Sequence, residues 1–348
     1  MRPLLESIFE EQIEFRLKSG VPIDGSVYIG ETEFLPVETL KDDSDAYSTE
    51  FSRWLSDEFI PAQEAALEAI LKINTNKQRF ADLCTRCAAG NVAPLVGSGM
   101  SVPCGKKMWS AFLERLRQDS TLAKADLDAM LAKGLYEEAA EAVAAAMPGR
   151  LFDKTIEHEL RLEQDDQVFG AVRLLPGLFP LLALTTNLDD VLERRYTECG
   201  GGFKRIHAGK EIGQYRRDGD GPALLKLHGD CYRAETRVLR KAEYEAAYGP
   251  AGELRAELAK VYETKSLLCI GCSLAEDRTM ALIHEVAKRD NKMPMHFAFM
   301  PLPKDDATRV ARDHFLAERN IFTIWYDGDH DECLTTLLFG MLRRLGKV

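Results

Sequence analysis

Four apolar runs in this 348-residue sequence each end in small or polar side chains that could do chemistry. Asn91-Val-Ala-Pro-Leu-Val96 leads into Gly97-Ser98-Gly99-Met100-Ser101, and Leu181-Leu-Ala-Leu184 into Thr185-Thr186-Asn187-Leu188-Asp189. Leu224-Leu-Lys-Leu227 leads into His228-Gly229-Asp230, and Leu267-Leu-Cys-Ile270 into Gly271-Cys272-Ser273. Glycines at a strand end let backbone amides approach a phosphate, and the start of the next helix adds positive dipole. His228, with an ordinary imidazole pKa near 6.5, is the general-base candidate of the set. Each run also has a plainer reading. Gly97 to Gly99 fits a structural turn, Asn187 a helix N-cap, His228 a turn histidine, and Gly271 to Ser273 a strand-to-helix turn. The general dinucleotide fingerprint is incomplete, because Val102 stands where a third glycine belongs and Glu114 falls inside a helix; the Walker pattern is absent. Taken jointly, four polar strand ends at one edge of a parallel sheet describe a single binding cleft.

The elements that must position these residues follow from periodicity. Strands are expected at Val92–Val96, Leu181–Leu184, Ala223–Leu227, Ser266–Ile270, Met295–Met300 and Ile321–Trp325. Helices are expected at Trp109–Arg117, Leu188–Tyr196, Leu254–Tyr262, Thr279–Lys288 and Asp306–Glu318. Such alternation predicts an α/β fold, a Rossmann-like parallel sheet with helices on both faces. An Ala-rich helical insertion, about residues 110–178, separates the first two strands and is placed as one wall of the cleft. Residues 1–78 read as an N-terminal appendage serving regulation or assembly, or as a packing extension of the core, with a short strand pair within Val27–Val37 and helical spacing over Phe59–Ile73. The catalytic part is expected at 79–348.

Composition excludes several classes. Acidic residues outnumber basic ones 56 to 45, for a net charge of −11, which gives no support to a nucleic-acid face or to an anionic membrane surface. Arg216-Arg217 and Arg233–Lys241 are short and interrupted by acids, so they are expected to be solvated surface. The N-terminal stretch has no signal-peptide pattern, and a soluble, cytoplasmic protein is expected. Cys84/Cys87 and Cys269/Cys272 are too far apart for a compact zinc ribbon, and no clustered histidine pattern occurs, so no metal is expected. His158, His284 and His314 are assigned to helices, His296 to a strand, and His207 and His330 to loops, all as structural residues.

In order and spacing these motifs resemble the sirtuin-like family, in its bacterial branch of NAD-cleaving anti-phage defence effectors, over roughly residues 85–300. Gly97-Ser98-Gly99-Met100-Ser101 is similar to the pyrophosphate loop, and Gly105 with Trp109 to the flexible loop covering the nicotinamide side. Thr186-Asn187-Leu188-Asp189 resembles the motif at the nicotinamide ribose, His228-Gly229 the catalytic His-Gly, and Gly271-Cys272-Ser273 the adenosine-ribose loop. Val238 to Tyr248, with Tyr244, is similar to the stretch that follows His-Gly in that branch. Two departures stand against an acyl-lysine substrate. Cys231 is alone between Gly229 and Cys269, so the deacylase zinc ribbon cannot form, and Met108 stands where the deacylase loop carries an aspartate.

The resemblance implies an NAD glycohydrolase with NAD as substrate, acting when triggered by homo-oligomerisation or by a protein encoded nearby. On that reading the amides of Gly97 to Ser101 bind the pyrophosphate, Asp189 or its neighbouring backbone holds the carboxamide, and Trp109 covers the site. Asn187 orients the attacking water or the ribose hydroxyls, and His228 draws off a proton. Alternatives are a non-catalytic module sensing NAD or ADP-ribose, a protein ADP-ribosyltransferase, and a deacylase.

Overall fold

The computed structural model describes residues 2–18, 27–29, 32–34, 36–215, 219–275, 277–289 and 293–348. A small antiparallel hairpin, β1 (Val27–Ile29) with β2 (Thr32–Phe34), stands apart from the main sheet. Among the described residues the main sheet has seven strands: β3 (Val92–Val96), β4 (Leu182–Thr185), β5 (Arg205–Ala208), β6 (Ala223–Lys226), β7 (Ser266–Ile270), β8 (His296–Pro301) and β9 (Ile321–Tyr326). They lie in the order β5-β6-β4-β3-β7-β8-β9 and every pairing is parallel. The expected α/β architecture is the observed one.

Alternate residues along each strand feed opposite faces, as the period of two requires. Val96, Leu268, Ile270, Phe297, Phe299 and Ile324 face one core. That core is closed by the helix Arg2–Lys18 through Leu4, Leu5 and Ile8, by Phe80, and by the C-terminal helix His330–Arg344. Ala93, Leu95, Leu267, Cys269, Ala298 and Met300 face the other core, under the helices Glu253–Thr264 and Arg278–Arg289. Residues before 78 thus share the first core: Phe9, Tyr47, Phe51, Trp54 and Phe59 form a run of ring contacts that ends with Phe59 on Phe339, centroids 4.9 Å apart.

The insertion is a bundle of short helices, Trp109–Gln118, Lys124–Leu131, Tyr136–Ala145 and Gly149–Leu160, with its own core. Leu188, Cys231 and Leu239 belong to that core. They come from the loops after β4 and β6, so the bundle is seated on the sheet edge that carries Asn187 and His228.

Several local expectations need correction. The helix placed from Leu188 begins only at Val191, so Asn187 is not its N-cap. His207 lies in β5, a half-exposed edge strand too short to show periodicity, and His330 opens the C-terminal helix rather than sitting in a loop. The run Arg233–Lys241 is solvated surface only in part: Arg240 and Lys241 are exposed and pair with Glu243 and Glu138, and Arg233 pairs with Glu211, but Arg237 is only 3% exposed, with its guanidinium on Asp153 (2.7 Å). The pair Arg216-Arg217 lies outside the described residues. No helix among the described residues is long and apolar enough to cross a membrane.

Candidate functional site

The chain runs outward from β3 to β4 on one side and returns to β7 on the other, so the carboxyl ends of β3 and β7 flank the topological switch point, where open α/β sheets bind ligands. The two loops touch there. Gly97 donates its amide to Ile270 O (2.9 Å) and Gly99 to Gly271 O (3.0 Å). A methyl group on Gly97 would stand 2.5 Å from Gly271 O, and one on Gly271, whose φ is +68°, would stand 2.7 Å from Met100 N. These glycines serve close approach of loop to loop. The amides of Met100 and Ser101 turn back onto Gly97 O and Ser98 O (3.1 and 3.0 Å). Four amides of the expected pyrophosphate loop are therefore engaged within the protein. Ser98 Oγ reaches Met108 Sδ at 3.6 Å, which ties the loop to the start of the insertion.

Asn187 is bolted to this loop. Its Nδ2 donates to Gly97 O (3.1 Å) and to Ser101 Oγ (3.0 Å), and its backbone amide donates to Thr185 Oγ1, which itself donates to Val96 O. Ser101 in turn hydrogen-bonds the Asp189 carboxylate. Burial pushes that carboxyl upward, against the pull of Lys226 and the bonds from Ser101 and the Val191 amide. Asn187 and Asp189 are 8% and 6% exposed, so both are part of the wall of the site rather than its mouth. Thr186 continues the β3–β4 ladder by donating its amide to Val96 O (3.1 Å).

Sequence reasoning missed Lys226, the last residue of β6, which is fully buried. Its ammonium donates to Asp189 O (2.7 Å), Glu193 Oε1 (2.6 Å), Asp230 Oδ2 (3.1 Å) and Leu188 O (3.3 Å). Burial opposes its charge, yet Glu193 and Asp230 hold it above the ordinary lysine range. The same burial pushes Glu193 up to about 7 despite Lys226. One cation thus gathers the loops carrying Asn187 and His228. The signal was a lysine set inside the apolar run Leu224–Leu227.

His228 follows two residues later and is partly buried. Its Nε2 lies 3.0 Å from Tyr248 Oη and its Nδ1 3.2 Å from Tyr244 Oη. Burial pushes the imidazole down to about 4, so it is neutral near pH 7. Tyr248 Oη also meets Thr279 Oγ1 at 3.0 Å, which links His228 to the helix after β7. Both tyrosines come from the helix Lys241–Tyr248, and burial keeps both phenols protonated. Gly229, at φ +94°, permits the turn: a methyl group there would stand 2.6 Å from Arg237 Cα.

The remaining expected residues lie at the rim. Trp109 opens the first insertion helix and stacks on Phe112 at 5.8 Å. Ser273 is exposed, and its carbonyl is held by Arg312 (2.6 Å). The structure therefore brings Gly97, Ser101, Asn187, Asp189 and Gly271 into one contact network, with His228 on the neighbouring strand end, Leu227 N on Thr185 O at 2.7 Å.

Residues 181–324 match the family model of the SIR2-like domain, which supports a sirtuin-like, NAD-binding family. The matched span holds Asn187, His228, Tyr244, Tyr248 and Gly271. The glycine loop after β3 precedes it.

Proposed function

We propose that the protein is an NAD glycohydrolase, releasing nicotinamide and ADP-ribose, and that it acts as a triggered effector of anti-phage defence. The observation carrying this reading is the pinning of Asn187 by Gly97 O and Ser101 Oγ beside the switch-point glycines. A carboxamide fixed by two bonds keeps its remaining oxygen oriented, which is what positioning a water or a ribose hydroxyl requires. His228 is neutral and within the same edge, as a proton acceptor must be. The dinucleotide is bound along the β3–β7 crevice, with the nicotinamide end toward the imidazole. The insertion, seated over both loops, is the element on which a trigger protein or a second copy acts.

The test is direct. Incubating the protein with NAD, alone and with its assembled form, and chromatographing the products should show nicotinamide. Asn187→Ala and His228→Ala should each lower its release on the order of 10²–10⁴-fold with the fold retained. Near-normal release from a folded double variant removes both residues from the mechanism.

A second reading is favoured by one observation. Both ring nitrogens of His228 are engaged by phenols, as in a site that binds ADP-ribose or NAD without cleaving it. Tight, stoichiometric NAD binding with no nicotinamide from the assembled form selects this sensor.

A further inference from the structure

The two tyrosines on His228 are held very differently. Tyr248 is 6% exposed, and its hydroxyl is fixed at both ends, by His228 Nε2 and by the buried Thr279. Tyr244 is partly exposed, and its hydroxyl meets His228 Nδ1 at the longer distance of 3.2 Å. Its ring lies beneath the Arg278 guanidinium, 6.0 Å from the centroid. A neutral imidazole has one N–H and one lone pair, so one phenol accepts from the ring and the other donates to it.

We propose that Tyr248 is the positioning residue that sets the tautomer of His228, and that Tyr244 is a displaceable plug on the lone pair the reaction uses. This rests on the glycohydrolase reading for its catalytic part, but the tautomer assignment does not. In the resting network Nε2–H donates to Tyr248 Oη, Tyr248 donates to Thr279 Oγ1, and Tyr244 donates to Nδ1. The reversed circuit would satisfy the same groups; the one assigned here puts the bare lone pair, Nδ1, under the looser and partly exposed Tyr244, where a water can reach it. Substrate entry moves Tyr244 aside, and the attacking water takes its place at Nδ1. The water proton passes to Nδ1 as the oxygen bonds the anomeric carbon, and the nicotinamide nitrogen leaves with the electron pair of the broken bond. The imidazolium formed then donates through both nitrogens, to Tyr248 Oη and to the new hydroxyl, before losing the proton to solvent. Arg278 is held by Glu137 of the insertion, so a trigger that moves the insertion also uncovers Tyr244.

The experiment compares Tyr244→Phe and Tyr248→Phe in the full chain, with ¹⁵N shifts of the His228 ring and the pH profile of nicotinamide release. The parent should show Nε2 protonated and Nδ1 bare. Tyr244→Phe should keep that tautomer and release nicotinamide at least as fast as the parent. Tyr248→Phe should mix the tautomers, lower kcat by about tenfold with KM little changed (one ordinary hydrogen bond), and move the acid limb to lower pH. Equal losses in the two variants, or a parent protonated at Nδ1, overturn the inference. A parent with the expected tautomer that yields no nicotinamide when assembled overturns the glycohydrolase reading and the plug role, while the tautomer role of Tyr248 stands on the NMR result.

Discussion

Arg278 grips Glu137 with two arms: Nε lies 2.7 Å from one carboxylate oxygen and Nη2 2.7 Å from the other. The pair joins the insertion to the helix after β7, across the mouth of the site, and Lys241 with Glu138 makes a second tie at 3.2 Å. Partly exposed pairs of this kind contribute up to about 1 kcal/mol, enough to bias a closed state without locking it.

Glu137→Gln should loosen the insertion while leaving the sheet intact. Amide hydrogen exchange over 136–145 should speed several-fold, with little change in the global melting temperature. Exchange indistinguishable from the parent would show that the grip does not hold this helix down.

Lys226→Met should be among the most damaging single changes. It leaves the Glu193 and Asp230 carboxylates buried with no countercharge, and broken buried pairs cost about 3–5 kcal/mol. Urea denaturation measures it, and adding Glu193→Gln should recover part of the loss. A loss under 1 kcal/mol would mean that water reaches the ammonium in the folded protein.

Gly271→Ala acts through shape alone. The left-handed backbone costs a non-glycine residue about 1–2 kcal/mol, and the methyl group collides with Met100 N, so the glycine loop must move. ADP-ribose affinity, measured by calorimetry, should fall more steeply than stability. Unchanged affinity would separate the switch point from ligand binding.

His296 makes stability depend on acidity. It is 1% exposed, accepts the Leu267 amide through Nδ1 (2.9 Å), and burial together with the Arg86 charge pushes it down to about 3. Between that value and the unfolded value near 6.5, the unfolded chain binds a proton that the native state refuses. The contribution is therefore complete above about pH 6.5 and lost as pH falls, by about 1.4 kcal/mol per pH unit. His296→Asn, whose side-chain oxygen can replace Nδ1 as acceptor, should melt at a temperature that falls less between pH 7 and 4.5. Parallel curves for the two proteins would count against this assignment.

The parallel sheet was legible because its buried strands are continuous apolar runs. Leu267–Ile270 and Val92–Val96 are visible by composition alone. β5 was not, since Arg205-Ile206-His207-Ala208 is a four-residue edge strand with Ile206 39% exposed. The polar strand ends were legible as types at positions, and Asn187, Ser101 and Gly97 do meet. What the sequence hid was long-range pairing. Tyr248 reaches His228 across 20 positions and Lys226 reaches Glu193 across 33, and neither spacing carries a local signal. The N-cap reading of Asn187 failed because its amide is drawn to Gly97 O and Ser101 Oγ, ahead of a helix that starts at Val191.

The contact of Phe59 with Phe339 has a consequence for biosynthesis. A chain emerging from the ribosome makes its first helices long before the one that completes their core, so nascent protein holds an unfinished hydrophobic face until translation has passed Phe339. The sheet's first core, and with it the strand ends of the site, is therefore completed only by the last helix to be synthesised.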